Sequence, residues 1–257
     1  MKLLSKFLLS ALLFPAITIA QKTMTAESIR ATINKNAPVA LSNVHITGDL
    51  DLTKLDNMKL ANKQDEGKTY VSTVTSPVSF TNCTFSGKVL GYFNPDNGNQ
   101  TKNSSTVYNT NFTAPLSFDN CTFEDEAAFK YSEFTSKASF KGSRFNEIAV
   151  FKYSKFKEGP NFSDATFKNT AVFKYVELPA GFDFSKATFQ SEAEFKYAKL
   201  MNKGSFANAT FRNYANFKYA NFASVVDLKG VKFEGSTDFK YTKLDSRSTT
   251  LSELTSK

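Results

Sequence analysis

The chain is poor in the residues on which most protein chemistry depends. Its 257 residues include one histidine, His45, two cysteines and no tryptophan. A single histidine excludes histidine-cluster metal centres and leaves any histidine-dependent triad one candidate. Two cysteines exclude a disulfide-dense scaffold and a four-cysteine zinc site. No nucleophile elbow, phosphate-binding glycine loop or metal-ligand spacing occurs, so neither a metal nor a cofactor is expected. With 41% hydrophobic and 22% charged residues, the chain is too apolar for disorder and too charged for a polytopic membrane protein.

Phenylalanine is what the chain has in excess: 27 of them, with 10 tyrosines. The first 20 residues stand apart from the rest. A basic start, Lys2 to Lys6, precedes the apolar run Phe7 to Ile19, and Thr18 and Ala20 are the small residues of a cleavage site. That run is too short to span a bilayer, and no later segment is long and apolar enough to do so. Residues 1–20 therefore read as a signal peptide, leaving a mature protein that begins at Gln21 and is exported, to a periplasm or beyond. The formal charge of +8 loses two with Lys2 and Lys6.

An internal repeat dominates the rest of the chain. Phe-Lys-Tyr starts at Phe129, Phe151, Phe173, Phe195, Phe217 and Phe239, at intervals of 22 residues. Three further series share the period: Phe118 to Leu228, Phe123 to Phe233, and Phe112 to Leu244. Large apolar residues thus alternate in steps of five and six, and most have a small residue two positions before them. A helix is excluded, because at roughly 100° per residue these positions point all around the axis. Simple strand alternation is excluded too, because the steps change parity. A coil of four short faces accommodates the pattern, each face turning one large and one small residue inward. A single coil buries too little to be stable, so neighbouring coils must stack into one core.

Segments such as Phe162-Ser-Asp-Ala-Thr-Phe167 and Phe206-Ala-Asn-Ala-Thr-Phe211 resemble the pentapeptide-repeat family, in a Phe-centred variant with an eleven-residue half-repeat. The resemblance runs from about Leu41 to Leu244. It implies an all-β fold, a right-handed quadrilateral parallel β-helix of about eight coils. The extra residue on alternate faces departs from the family pattern and should bulge two corners. Leu116, Pro160 and Phe182 stand where small inward residues are expected, which makes those corners irregular.

The flanks read as accessories. Residues 21–38 form an N-terminal helical cap, with the helix expected over Thr25 to Asn36. The β-helix occupies 39–245, interrupted by extruded loops near 53–68 and 94–106. Residues 246–257 form a polar tail without a capping helix, which would leave the C-terminal coil open to homodimerisation or aggregation.

Cys83 and Cys121 occupy the same small inward position, 38 residues apart, one coil plus the length of the loop. They should stack on adjacent coils within disulfide reach. In an exported protein a bridge is favoured over stacked free thiols. Either way their role is structural.

Two surface columns invite a functional reading. Lys130, Lys152, Lys174, Lys196, Lys218 and Lys240 form one, and Tyr131, Tyr153, Tyr175, Tyr197, Tyr219 and Tyr241 the other. Ammonium groups one strand spacing apart repel by about 0.9 kcal/mol even in water. Glu133 and Glu177 are the acids placed to relieve it. The columns are either a solvated ladder produced by repeat duplication or a basic, aromatic strip for an anionic polymer such as an acidic glycan or nucleic acid. Thr122, Thr166, Thr188 and Thr210 make a third column, broken by Arg144, which falls short of a paired ice-binding array. Asp119, Glu124, Asp125 and Glu126 cluster without a facing acid, so no catalytic residue is assigned. His45 reads as a surface strand residue.

The expected function is an exported, non-enzymatic scaffold, structural or binding, whose partner is an anionic glycan, another polyanion or a protein. A glycan-active β-helix enzyme is the alternative. A DNA-mimicking topoisomerase inhibitor fits less well, because that role requires an acidic surface and cytosolic residence.

Overall fold

The computed structural model describes residues 22–64, 67–96 and 105–255. The expected signal peptide lies outside them. The chain coils through short parallel strands, mostly of two residues, that stack on four faces. The first face carries the Thr122–Phe123 series and the second the Ala127–Ala128 series. The third carries Glu133–Phe134 and the fourth Ala138–Ser139. The register is regular, with Thr122 opposite Arg144, Arg144 opposite Thr166 and Ala149 opposite Ala171. Only the fourth face is interrupted. Pro160 lacks the N–H its ladder needs, and isolated bridges through Asn161 carry the pairing on to Phe182–Asp183.

The interior is built from phenylalanine columns. Phe145, Phe167, Phe189 and Phe211 stack at 4.8, 4.9 and 4.6 Å between ring centroids, within 4° of parallel. Rings of different faces meet edge to face, as Phe151 meets Phe162 at 5.1 Å and 82°. Stacking along the axis and T-contacts across it are the two arrangements the aromatic quadrupole favours. The small inward residues fill the remaining space: Ala127, Ala149, Ala171, Ala193 and Ala215 are completely buried. On the third face some of them carry hydroxyls. Buried Ser154 donates to the Phe129 carbonyl at 2.6 Å and buried Thr242 to the Phe217 carbonyl at 2.9 Å. Each hydroxyl adds a second hydrogen bond to a carbonyl that already accepts the N–H closing its turn, so the buried hydroxyl is itself satisfied.

The corners explain the uneven step. After the fourth face the chain turns in five residues, and the Ser143 N–H closes the turn on the Phe140 carbonyl at 3.1 Å. The second residue after each large apolar residue there has a left-handed backbone: Asn82, Asn120, Gly142, Asp164, Lys186, Asn208 and Gly230. Asparagine, aspartate and glycine adopt that conformation most readily, which accounts for their recurrence. The six-residue steps fall at the two corners between.

Helix α1 (Ala26–Asn34) covers the first coil with Ala26, Ile29 and Ile33 buried, capped by Thr25, which accepts the Ser28 N–H at 3.3 Å. Three expectations need correction. The segment before α1 is a strand, Lys22–Thr25, that pairs with Val44–Thr47 and adds a rung to the first face. The region near 53–68 is not a plain loop: Lys59–Gln64 pairs antiparallel with Gly67–Val74. That strand pairs in turn with Ser105–Phe112 over its whole length, and Tyr92–Phe93 joins from the other side, so the third face grows a wing. Residues 97–104 of the second expected loop lie outside the described residues. The tail is also folded. Arg247–Ser248 turns back on Lys243–Leu244, and helix α2 (Leu251–Thr255) sets Leu251 and buried Leu254 against Phe217, Phe222, Phe233 and Phe239. Two leucines three apart in a polar tail pack on the apolar end, where Phe233 and Phe239 stay partly exposed. Among the described residues no helix is long and apolar enough to cross a membrane.

Candidate functional site

The corner between the second and third faces has the same five-residue turn, closed by the Ser132 N–H on the Phe129 carbonyl at 3.1 Å. Here, however, the left-handed residue is tyrosine. Tyr131, Tyr153, Tyr175, Tyr197, Tyr219 and Tyr241 have φ between 58° and 61°. A bulky residue in that region costs about 1–2 kcal/mol. Half a coil away the chain uses Asn, Asp or Gly at the corresponding place in every coil but one, where Lys186 stands, so the geometry does not ask for tyrosine.

Stacking offsets the strain. The six rings form one ladder with centroids 4.9, 4.6, 4.7, 4.7 and 4.8 Å apart, all within 16° of parallel. Because each ring faces its neighbours, the interior faces of the ladder are closed to a ligand. Ring edges and hydroxyls are what it offers to solvent. Desolvation raises the Tyr131 and Tyr175 hydroxyls above the usual tyrosine value.

The lysine column runs along one side. Lys130, Lys152 and Lys196 place Nζ at 4.9, 5.0 and 5.2 Å from the centroids of the tyrosines that follow them. Lys218 lies 5.5 Å from Tyr219. Cation–π attraction thus holds these four lysines against the ladder. Desolvation, and then the charges of Lys130 and Lys174, push the Lys152 ammonium below its usual value. The acids expected to relieve this repulsion do not. Glu133 pairs with Lys157 and Glu177 with Lys199, both at 3.1 Å on the third face. A residue missed in the sequence, Glu194, pairs with Lys174 at 3.1 Å and accepts from the Asn216 amide at 3.0 Å. It precedes Phe195 and projects from the second face beside the lysines; alanine or valine at the same place in earlier coils concealed the pattern.

On its other side the ladder borders a shallow groove whose far wall is Lys155, Glu177 and Lys199. Asn221 and Lys243 continue that wall toward the C-terminus. The two banks therefore differ, one mainly cationic with Glu194 as its acid and the other alternating in charge.

A family model described as pentapeptide repeats (nine copies) matches this chain twice, over residues 108–155 and 151–199, and the same register continues beyond them on both sides. The repeat region of the chain belongs to the pentapeptide-repeat family. No curated protein and no solved structure matches it. Pentapeptide repeats build structural scaffolds and are generally not enzymes. Among the described residues of this pentapeptide-repeat chain, no group of three or more His, Cys, Asp or Glu could hold a metal ion. The acidic cluster is dispersed: Asp119 accepts from the Ser139 hydroxyl, whereas Glu126 pairs with Lys88 at 3.3 Å. An acid from another coil, Asp49, does share a cleft with Glu126, which the sequence did not reveal. His45 lies in the threonine column opposite Thr84.

Cys83 and Cys121 stack on adjacent coils, both buried, and both are free thiols rather than the favoured bridge. The reason is directional. Side chains of in-register parallel neighbours point the same way, so their Cβ atoms stay about 4.8 Å apart, beyond the roughly 3.5–4.5 Å a disulfide requires. The Cys121 thiol donates to the Phe80 carbonyl at 3.5 Å, and burial pushes its pKa up to about 12. Neither thiol should react with iodoacetamide in the native protein at neutral pH, and both should react once it is unfolded without reductant. Failure of both to react in the unfolded chain would restore the disulfide.

Proposed function

We propose that this protein is exported after loss of residues 1–20 and binds a linear acidic glycan along its lysine–tyrosine strip. The observation that carries this reading is the ladder itself. Six tyrosines are kept in a costly backbone conformation, whereas the equivalent corner half a coil away never uses an aromatic residue. Repeated strain on an exposed surface is a mark of function. The ladder's chemistry favours an anion: ring edges carry the positive part of the quadrupole, the hydroxyls donate, and ammonium groups flank them. Parallel stacking argues against single-stranded nucleic acid, which needs free aromatic faces for its bases. The formal charge of +8 agrees in sign.

A homodimer through the C-terminal coil would have to displace Leu251 and Leu254, so we propose that the protein acts as a monomer. The test uses protein starting at Gln21, titrated with polygalacturonate, heparin, a neutral glucan and single-stranded DNA. Binding to the acidic glycans should fall steeply with salt. Changing Lys152, Lys174 and Lys196 together to Gln should weaken it at least about tenfold without loss of fold. Absence of acidic-glycan binding at low salt would overturn the strip. An N-terminus other than Gln21 on protein recovered from the cell envelope would overturn the export step.

A further inference from the structure

The N-terminal end of the strip does not simply stop. Leu90 pairs with Ala128, so Tyr92 and Phe93 fall where the next coil has Lys130 and Tyr131. Gly91, buried, takes the place of the inward Phe129. With aromatics in both outward columns, the chain leaves the coil and enters the wing. Tyr92 is tilted by 53° from Tyr131 at a centroid distance of 5.9 Å, so the parallel ladder ends at this point.

A cleft of about 720 Å³ opens there, lined by Asp49, Lys88, Leu90, Tyr92, Phe93 and Glu126, with Asn94, Pro95 and Lys130 completing it. Its contents differ from those of the strip. The Lys130 ammonium lies 3.3 Å from the Tyr92 hydroxyl and 4.6 Å from the centroid of that ring. Lys88 holds Glu126, and the Lys88 N–H donates to Asp49 at 2.9 Å. One wall therefore presents a cation beside a phenol, another presents carboxylate oxygens, and aromatic and aliphatic surface lies between them. Convergent polar groups on an apolar concavity are the usual form of a small-molecule site.

We propose that the cleft takes the terminal sugar of an acidic glycan. Lys130 and the Tyr92 hydroxyl meet its anionic group, Asp49 and Glu126 accept from its hydroxyls, and Tyr92, Phe93 and Leu90 cover its apolar face. The assignment rests on the strip reading for the class of polymer, but the cleft is a separate site and gives the strip a direction.

The experiment titrates the protein from Gln21 with short probes: digalacturonate, a sulfated disaccharide, mannose 6-phosphate and neutral lactose. Each is too short to cover the ladder. At least one anionic probe should bind and lactose should not, the three anionic arms identifying carboxylate, sulfate or phosphate as the group recognised. Tyr92→Ala and Lys130→Gln should each weaken the bound probe by about tenfold, with the fold checked by circular dichroism. The Lys152, Lys174, Lys196 triple Gln variant should bind it undiminished. No binding of any anionic probe, or binding unaffected by both cleft variants, would overturn the inference. Short-probe binding that persists when polygalacturonate fails to bind would sink the strip and leave the cleft standing.

Discussion

Phe162→Ala should be the most damaging single truncation in the core, costing about 3–5 kcal/mol in urea denaturation. Its ring is completely buried at mid-solenoid and stacks on Phe140 at 4.8 Å and Phe184 at 4.9 Å. It also meets Phe151 and Phe173 edge to face at 5.1 and 5.3 Å. Rungs above and below hold the walls of the cavity in place, so they cannot collapse into it. Phe239→Ala removes the same atoms from the last coil, where the ring is half-buried and has a stacked neighbour on one side only, Phe217. About 1–2 kcal/mol is expected there, from the smaller buried area. Equal losses at the two sites would mean that stacking along the axis contributes little, and that burial within a single coil sets stability.

The second large effect is expected at Gly204. A Cβ on this residue would lie 2.1 Å from Cε1 of Phe182, the ring that fills a small-residue position one coil earlier. Its backbone is not in the left-handed region, so the requirement for glycine is one of space alone. Gly204→Ala should cost about 1–3 kcal/mol through overpacking. In a Phe182→Ala background the same change should cost almost nothing, because Ala138, one of the small residues earlier on this face, already packs in that position. A double-mutant cycle measures the difference, and additive losses would refute the pairing.

These two sites show what the amino-acid order made legible. The coil, its period and its inward residues could be read because each rung repeats the residue types of the last. Gly204 could not be assigned a role, because its partner is one coil away and is itself the exception. The wing was missed for a related reason. Lys59–Gln64, and Ser105–Phe112 up to its last residue, lack the phenylalanine marker and are held by pairing with Gly67–Val74 rather than by facing the core. The tyrosine ladder was visible as a column, but not its strained backbone. The eleven-residue half-repeat held the clue, since it aligns Tyr131 with Asn120 and Gly142, both left-handed. The thiol chemistry of stacked cysteines depended on the direction of Cβ, and a spacing of residues carries no direction.

The in-register parallel stacking of like side chains has a further consequence. Rungs at strand spacing, bonded along one axis with identical rings superposed, are the arrangement by which separate chains build an amyloid protofilament. Here one chain supplies every layer and then ends the stack. Helix α1 sits on the first layers and Leu254 on the last, while lysines at Lys232 and Lys243 mark the final rungs. Charged edge residues of this kind discourage the addition of another strand. Among the described residues the stack is a short filament within one chain, with a helix packed against each end.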